Sequence, residues 1–186
     1  IQEEVMKING VGAVIPGGAS GLGGAAAKRL AQNGARVVIF DLNEAEGRKR
    51  AEEIGGKFVR VDVTDEAQVA AGLDEAGAFA GRLAICVNCA GVAPPAKVIS
   101  REGEPLALEA FSKIVRINLI GTFNVTSKFA AHIHKSEADG EERGVIVNTA
   151  SVAAFDGQIG QPAYAASKGG IAAMTLPIAR ELARYG

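Results

Sequence analysis

Short apolar runs alternate along the chain with longer segments in which apolar residues recur every three or four positions. Each run is four or five residues long, and turn residues such as Gly, Asn and Asp lie beside most of them. This pattern is typical of buried strands in a parallel sheet. The predicted strands are residues 11–15, 36–40, 57–61, 83–87 and 145–148.

Helical periodicity follows every predicted strand. The first predicted helix follows Gly24 and ends at Gln32, and the others span residues 44–54, 65–79, 109–134 and 162–184. Residues 92–105 lack periodicity and are predicted to form a loop. Strands that alternate with helices indicate an α/β fold with a doubly wound parallel sheet. The length of 186 residues suits a single domain spanning residues 1–186.

The two longest helical patterns carry unusual residues. Asn118 lies on the apolar stripe of the first, and a buried amide needs hydrogen-bonding partners. The spacing alone leaves a packing role and a functional role open. Pro177 lies inside the second, where it should kink the helix or cost a hydrogen bond.

Composition narrows the classes of partner. The net charge is −1, which gives no electrostatic case for nucleic acid or an anionic membrane. No apolar run reaches the roughly 18 residues that a membrane-spanning helix needs. Residues 1–7 lack a signal-peptide pattern, so we expect a cytoplasmic location, with a mitochondrial one open if the source is eukaryotic.

Neither the cysteines nor the histidines predict a metal site. Cys86 lies in a predicted strand, and three strand steps to Cys89 span about 10 Å, beyond the reach of a disulfide. There is no second cysteine pair to complete a zinc site. His132 and His134 lie near a polar helix end and are predicted to be surface residues.

A glycine-rich turn separates the first predicted strand from its helix. Such a turn lets the backbone approach a diphosphate, and the helix N-terminus adds favourable N–H groups, as in Rossmann-type folds. Both Gly21-x-Gly23-x-x-Ala26 and Gly17-x-x-x-Gly21-x-Gly23 fit this turn. The segment therefore predicts a dinucleotide site, with Ser20 and Leu22 among its contacts.

Acidic and small residues end the next three predicted strands. Asp41 lies 18 residues after Gly23, close to the roughly 20 expected for the acid that holds the adenosine ribose, and its charge favours NAD over NADP. A helix cap is the alternative role for Asp41. Asp62 either contacts adenine or caps the next helix. The remaining predicted cofactor contacts are Val63, Cys89, Ala90 and Gly91.

The last predicted strand and helix supply a second group of reactive side chains. Ser151 follows the strand, and Tyr164 precedes Lys168 by four positions, so these two share one helix face. A nearby ammonium favours the phenolate, which suits Tyr164 to proton transfer near neutral pH. A serine hydroxyl could hold a carbonyl or alcohol oxygen beside the tyrosine.

In their order and spacing, these motifs resemble the classical short-chain dehydrogenase/reductase family from Lys7 to Gly186. The resemblance implies that Tyr164 is the general acid/base and that Ser151 positions the substrate oxygen. Lys168 would promote ionisation of Tyr164 and hold the nicotinamide ribose, to which Tyr164 would also lie close. Asn118 would hold a helix distortion and a proton-relay water.

Longer runs, including residues 118–125 and 148–155, are similar to the type II 3-hydroxyacyl-CoA dehydrogenase subfamily. This resemblance implies an NAD-dependent homotetramer that acts on 3-hydroxyacyl-CoA. A 3-oxoacyl-[acyl-carrier-protein] reductase or another short-chain alcohol dehydrogenase is the alternative, as is an inactive nucleotide-binding fragment. We predict Gln158 and Gln161 as substrate contacts because they lie between Ser151 and Tyr164.

Two features depart from the family pattern. Pro16 stands where the family usually has Thr, so a hydrogen bond is lost and a local effect on the turn, with weaker cofactor binding, is expected. Family members also continue beyond the position of Gly186 with two more strands. We therefore expect that the sequence is partial, and that its fifth strand has a bare edge.

Overall fold

The computed structural model describes residues 6–186, so the expectation about a signal peptide lies largely outside the described residues. Five parallel strands form one sheet in the order β3-β2-β1-β4-β5. The strands are β1 Gly12–Pro16, β2 Arg36–Asp41, β3 Lys57–Arg60, β4 Leu83–Asn88 and β5 Val145–Asn148. The predicted doubly wound parallel sheet is confirmed.

Six α-helices accompany the sheet in the part of the chain that the structure describes. They are α1 Gly21–Gln32, α2 Glu44–Glu53, α3 Glu66–Ala80, α4 Leu108–Val115, α5 Gly121–His134 and α6 Pro162–Leu182. A π-helical segment, Arg116–Ile120, joins α4 to α5. Short 3₁₀ turns lie at Val152–Ala154 and Ala183–Tyr185. Within residues 6–186, no helix has both the length and the apolar character that crossing a membrane requires.

The sheet is buried on both faces, which explains why its inner strands are apolar at almost every position. On one face, Phe40 packs with Leu73 of α3 and Phe129 of α5. On the other, Ile39 packs with Ala27 of α1 and Ala51 of α2. The carboxyl ends of the strands, where ligands bind in open α/β sheets, therefore lie between two layers of helices.

Helix capping explains where α2 and α3 begin, and it decides two open alternatives. Asn43 caps α2 by accepting a hydrogen bond from Glu46 N at 3.2 Å. Asp65 caps α3 by accepting from Gln68 N at 3.0 Å. Neither Asp41 nor Asp62 is therefore a helix N-cap, and the capping alternative is wrong for both.

Pro16 and Pro177 disturb the fold less than the chemistry of proline suggests. Pro16 ends β1, where its carbonyl accepts from Cys89 N at 2.9 Å, and Gly17 N donates to Phe40 O at 2.7 Å. The turn after Pro16 thus remains bonded to both neighbouring strands. Pro177 lies inside α6, which continues to Leu182, so its cost there is the N–H that it lacks.

Three further expectations concern the second half of the chain. The predicted helix 109–134 is interrupted by the π segment, and Asn118 lies in that segment. The predicted loop 92–105 is irregular apart from a bridge between Ile99 and Pro105. Among the described strands, β5 is at the edge of the sheet, and its side chains are at most half-buried.

Candidate active site

A groove of about 430 Å³ lies at the carboxyl ends of the strands, between the turn after β1 and the turn after β4. The structure brings together there eleven of the residues predicted to hold a cofactor. They are Gly17, Ser20, Gly21, Leu22, Gly23, Asp41, Asp62, Val63, Cys89, Ala90 and Gly91. Residues that are up to 74 positions apart in sequence therefore share one wall.

Close packing of the two turns requires glycine at two positions. A Cβ on Gly17, whose φ is +76°, would lie 2.6 Å from Ala90 N, and a Cβ on Gly23 would collide with Gly17 O. Gly21 differs, because its Cβ would meet nothing within 4 Å, although its φ of +54° disfavours other residues. The backbone at Gly21 is thus open to a ligand.

The N-terminus of α1 faces this groove with few internal partners. Ser20 is its N-cap but makes no side-chain capping hydrogen bond, and the first turn contains no acidic residue. The first N–H groups of a helix lack intrahelical acceptors and attract anions. These residues therefore fit the diphosphate of a dinucleotide.

Two carboxylates lie further along the groove. Asp41 Oδ2 accepts from Ala19 N at 3.2 Å and Oδ1 accepts from Asn43 N at 3.0 Å. Asp62 Oδ1 accepts from the backbone N and the hydroxyl of Thr64 at 2.9 and 2.8 Å. Each oxygen of a carboxylate can accept more than one hydrogen bond, so Asp41 keeps capacity for ribose hydroxyls.

Six further residues line the groove that the sequence motifs did not identify. They are Phe40, Leu42, Val61, Val92, Ile117 and Thr149. Most of them adjoin a predicted site residue at a strand end, and this adjacency was the available signal. Ile117 precedes the predicted site residue Asn118, and Thr149 follows the last predicted strand, but that both reach the groove depends on the packing of the π segment and of β5.

Lys168 is buried beside this groove. Its side chain is 7% exposed, and Nζ donates to Thr149 O at 2.6 Å. Nζ lies 5.8 Å from the centroid of the Tyr164 ring, so the predicted sharing of one helix face by the two residues is confirmed. Burial lowers the pKa of Lys168, and the electrostatic interaction with the Cys89 side chain opposes this in part.

Asn118 links three elements around the site. Its Oδ1 accepts from Val92 N at 2.8 Å, and its Nδ2 donates to Val92 O at 2.9 Å and to Ser167 Oγ at 3.1 Å. The side chain is fully buried, and the paired contacts with Val92 fix the orientation of the amide. Asn118 thus ties the π segment to the loop after β4 and to α6, one residue before Lys168.

Ser151 and the two glutamines lie in the segment between β5 and the first turn of α6. Ser151 caps the short 3₁₀ turn, where its Oγ accepts from Ala153 N at 3.2 Å, and this turn packs against α6. Gln158 is exposed and Gln161 half-buried, both in the loop that precedes Tyr164. None of the three lines the groove, so they belong to a region next to it.

The two cysteines form no disulfide, and neither histidine lines the groove. Both Cys86 and Cys89 are free, and burial raises the pKa of the Cys86 thiol. His134 is exposed, whereas His132 is half-buried and lies 3.6 Å from an Asp74 oxygen. Residues 6–186 contain no cluster of three His, Cys, Asp or Glu side chains that could hold a metal ion.

Comparison with known proteins places this geometry in a family. A family model described as short chain dehydrogenase matches residues 12–186. The 3-hydroxyacyl-CoA dehydrogenase type-2 of Rattus norvegicus is 49% identical over 98% of this chain and 71% of the rat protein. The protein of the same name from Drosophila melanogaster is 50% identical over 93% of this chain and 69% of its own length.

A solved structure agrees with these relatives. The crystal structure of 3-hydroxyacyl-CoA dehydrogenase type-2 from Mycobacterium avium has a TM-score of 0.92 and 39% sequence identity, and the match covers 98% of this chain and 73% of that one. Together with the family match, these identities show that this chain belongs to the short-chain dehydrogenase family, whose members are oxidoreductases that use a nicotinamide cofactor.

Proposed function

We propose that this chain is an NAD-dependent dehydrogenase that interconverts a 3-hydroxyacyl-CoA and its 3-oxoacyl-CoA. The observation that carries the proposal is one arrangement: a buried ammonium, Lys168 Nζ, lies 5.8 Å from the Tyr164 ring and beside a groove that contains Asp41. The substrate class is supported by the names of the rat and fly relatives.

The charge of the groove supports NAD as the cofactor. Among the described residues that line it, two are aspartates and none is Lys or Arg. A 2′-phosphate would meet the carboxylate of Asp41 without a basic partner, whereas the ribose hydroxyls of NAD could donate to it. The family alone gives a nicotinamide cofactor, and Asp41 is the reason to specify NAD.

When bound, the nicotinamide ring supplies or accepts the hydride. Tyr164 gives the proton to the substrate oxygen during reduction and removes it during oxidation. Lys168 stabilises the phenolate of Tyr164 electrostatically, since its buried ammonium is poorly screened by water. The Ser151 hydroxyl orients the substrate oxygen beside Tyr164.

Asn118 has a positioning role in this scheme. Its amide joins the loop after β4 to Ser167 of α6. Ser167 in turn donates to Tyr164 O at 2.7 Å, so this chain of contacts ends at the acid/base residue itself. The proposal includes the proton-relay water that the family resemblance implies for Asn118.

Gln158 and Gln161 are the proposed substrate contacts. Gln161 precedes α6 as its N-cap residue but makes no side-chain capping bond, so its amide can serve a ligand. Replacing each by Ala should change KM for the acyl-CoA and leave NADH affinity unchanged. Unchanged kinetics would remove them from the site.

An assay with two cofactors and two acyl carriers tests the proposed function. Wild-type protein is expected to reduce acetoacetyl-CoA with NADH, with a clear preference over NADPH and over the same acyl group on acyl carrier protein. Preference for NADPH, or for the carrier-protein substrate, would instead indicate a reductase of the alternative type. Failure to turn over either substrate would contradict the proposal.

We also propose that the protein forms a homotetramer and acts on a small-molecule substrate. Exposed apolar side chains on α5 and α6, including Phe123 and Leu176 at 52% and 56%, support burial by another copy. The expected cytoplasmic location stays a prediction.

A further inference from the structure

Thr149 connects the cofactor groove with the buried Lys168, two parts of the site that no sequence motif links. It follows β5 directly, lines the cofactor groove, and supplies the carbonyl that accepts the Lys168 ammonium at 2.6 Å. Any change in where this residue sits therefore changes where the ammonium sits. What fixes the position of Thr149 is thus a functional question.

Both donors of Thr149 go to one acceptor on the neighbouring strand. Its backbone N donates to Asn88 O at 3.2 Å, and its hydroxyl donates to the same carbonyl. The backbone bond alone extends the β4–β5 ladder, in which Asn88 pairs with Asn148, by one residue. The hydroxyl adds a second bond that only Ser or Thr could make without disturbing the backbone.

The thiol of Cys89 completes this contact. Cys89 Sγ lies 3.5 Å from Thr149 Oγ1. The hydroxyl is the donor in this contact too, so its single proton is shared between Asn88 O and the weaker acceptor Cys89 Sγ. Thr149 is thereby held by two consecutive residues at the end of β4.

The fixed position of Thr149 matters because burying the Lys168 ammonium is energetically unfavourable. An ammonium out of water needs polar partners in fixed places, and Thr149 O is the hydrogen-bond partner that the described structure gives it. The effect of the ammonium on the Tyr164 hydroxyl depends on their separation. A loose strand end would therefore weaken proton transfer without removing a reacting group.

We propose that Thr149 is a positioning residue: its hydroxyl clamps the end of β5 to β4 so that its carbonyl holds the Lys168 ammonium beside Tyr164. The inference rests on the proposed roles of Tyr164 and Lys168 and is independent of which secondary alcohol is the substrate.

The test compares Thr149→Val, which removes the hydroxyl, with Thr149→Ser, which keeps it. Ser127→Ala is the control, because the exposed Ser127 also donates its hydroxyl to a main-chain carbonyl, Asn124 O, at 3.2 Å, and does not line the groove. Thr149→Val is expected to lower kcat about 10-fold. The affinity for NADH should change by a smaller factor than kcat. The rising limb of the pH–rate profile for alcohol oxidation should move to higher pH.

Thr149→Ser and Ser127→Ala should both behave like the wild type. Wild-type kcat and pH profile in Thr149→Val would overturn the proposal, and so would equal losses in the Val and Ser variants. If Thr149→Val does not fold, Thr149→Ala takes its place under the same criteria.

A second readout separates this inference from the proposed function. The ¹³Cε resonance of Lys168, assigned with a Lys168→Arg variant, reports its titration without any substrate. Thr149→Val should move the midpoint to lower pH, because the ammonium loses a well-placed acceptor. An unchanged midpoint overturns the clamp even in an active enzyme. A shifted midpoint in a protein that reduces no acyl-CoA supports the clamp while the proposed substrate fails.

Discussion

At the scale of single residues, the proposal that the cofactor is NAD rests on Asp41. Its two oxygens already accept backbone hydrogen bonds from Ala19 and Asn43, so the carboxylate is held in place before any ligand binds. The sequence predicted this side chain from its distance to the glycine turn. The sequence left a helix cap open as the alternative role, and the structure excludes that alternative because Asn43 caps α2.

Replacing Asp41 by Asn should relax the cofactor preference. The amide oxygen can keep one backbone bond, while the loss of charge removes repulsion of a 2′-phosphate. We expect kcat/KM for NADH to fall and that for NADPH to rise, changing their ratio by about 10-fold to 100-fold, or ~1.4–2.8 kcal/mol. Steady-state kinetics with both cofactors measure this. Asp74→Asn, on the surface of α3, is the control, and an unchanged ratio in Asp41→Asn would contradict the role.

Burial of the charged Lys168 in the proposed active site is expected to lower the stability of the fold. Burial lowers its pKa below the ordinary 10.5, so the folded state binds its proton less tightly than the unfolded state. The penalty is therefore complete below the folded-state pKa, and it disappears as the pH rises from that value towards 10.5.

Lys168→Met should accordingly be inactive but more stable near neutral pH. We expect the free energy of unfolding to rise by about 1 kcal/mol, or Tm by roughly 2–4 °C. This gain should shrink as the pH approaches the pKa of free lysine. Thermal unfolding between pH 6 and pH 10 checks this, with exposed Lys28→Met as the control. A loss of stability at pH 7, or a gain that does not depend on pH, would refute this assignment.

At the scale of elements, the π segment shows what a periodic pattern cannot reveal. An apolar stripe across residues 109–134 predicted one regular helix, since i+3 and i+4 spacing tolerates one wider turn. The distortion lies at Asn118, whose side chain pairs with Val92 and Ser167 instead of with its own helix. Only the tertiary contacts disclose it, although the family resemblance led us to expect it.

Asn118→Ala should destabilise the fold and slow the enzyme together. It removes the three hydrogen bonds that the buried amide makes with Val92 N, Val92 O and Ser167 Oγ, each worth about 0.5–1.5 kcal/mol. We expect the free energy of unfolding in urea to fall by about 2–3 kcal/mol and kcat to fall with it. Asn33→Ala, an exposed helix cap, should stay within roughly 0.5 kcal/mol of the wild type. Wild-type stability in Asn118→Ala would argue against this brace.

At the scale of the whole molecule, the strand order explains the site. The chain builds β1, β2 and β3 outward in one direction and then returns to place β4 on the other side of β1. This reversal opens the crevice in which Gly17 approaches Ala90. Alternating elements and strand-end motifs therefore predicted both the fold and the groove. The contact between Thr149 and Lys168 depends on side-chain packing, for which the sequence has no signal.

The assembly is also a property at this scale. If α5 and α6 pair with their copies, the molar mass in solution should be four times that of the chain, with residues such as Phe123 and Leu176 buried. Light scattering coupled to size exclusion measures it. Replacing both residues with Ser should shift the equilibrium towards smaller species, whereas a wild-type monomer would count against the tetramer.

The central claim is that Tyr164 moves the proton while the groove holds NAD. The chain contains two tyrosines, and Tyr185, which packs against His134, provides a matched control. Tyr164→Phe should lower kcat for acetoacetyl-CoA by about 10²–10⁴-fold, as loss of a general acid does, while NADH binds with unchanged affinity. Tyr185→Phe should keep full activity. A Tyr164→Phe enzyme that retains wild-type kcat would contradict the account.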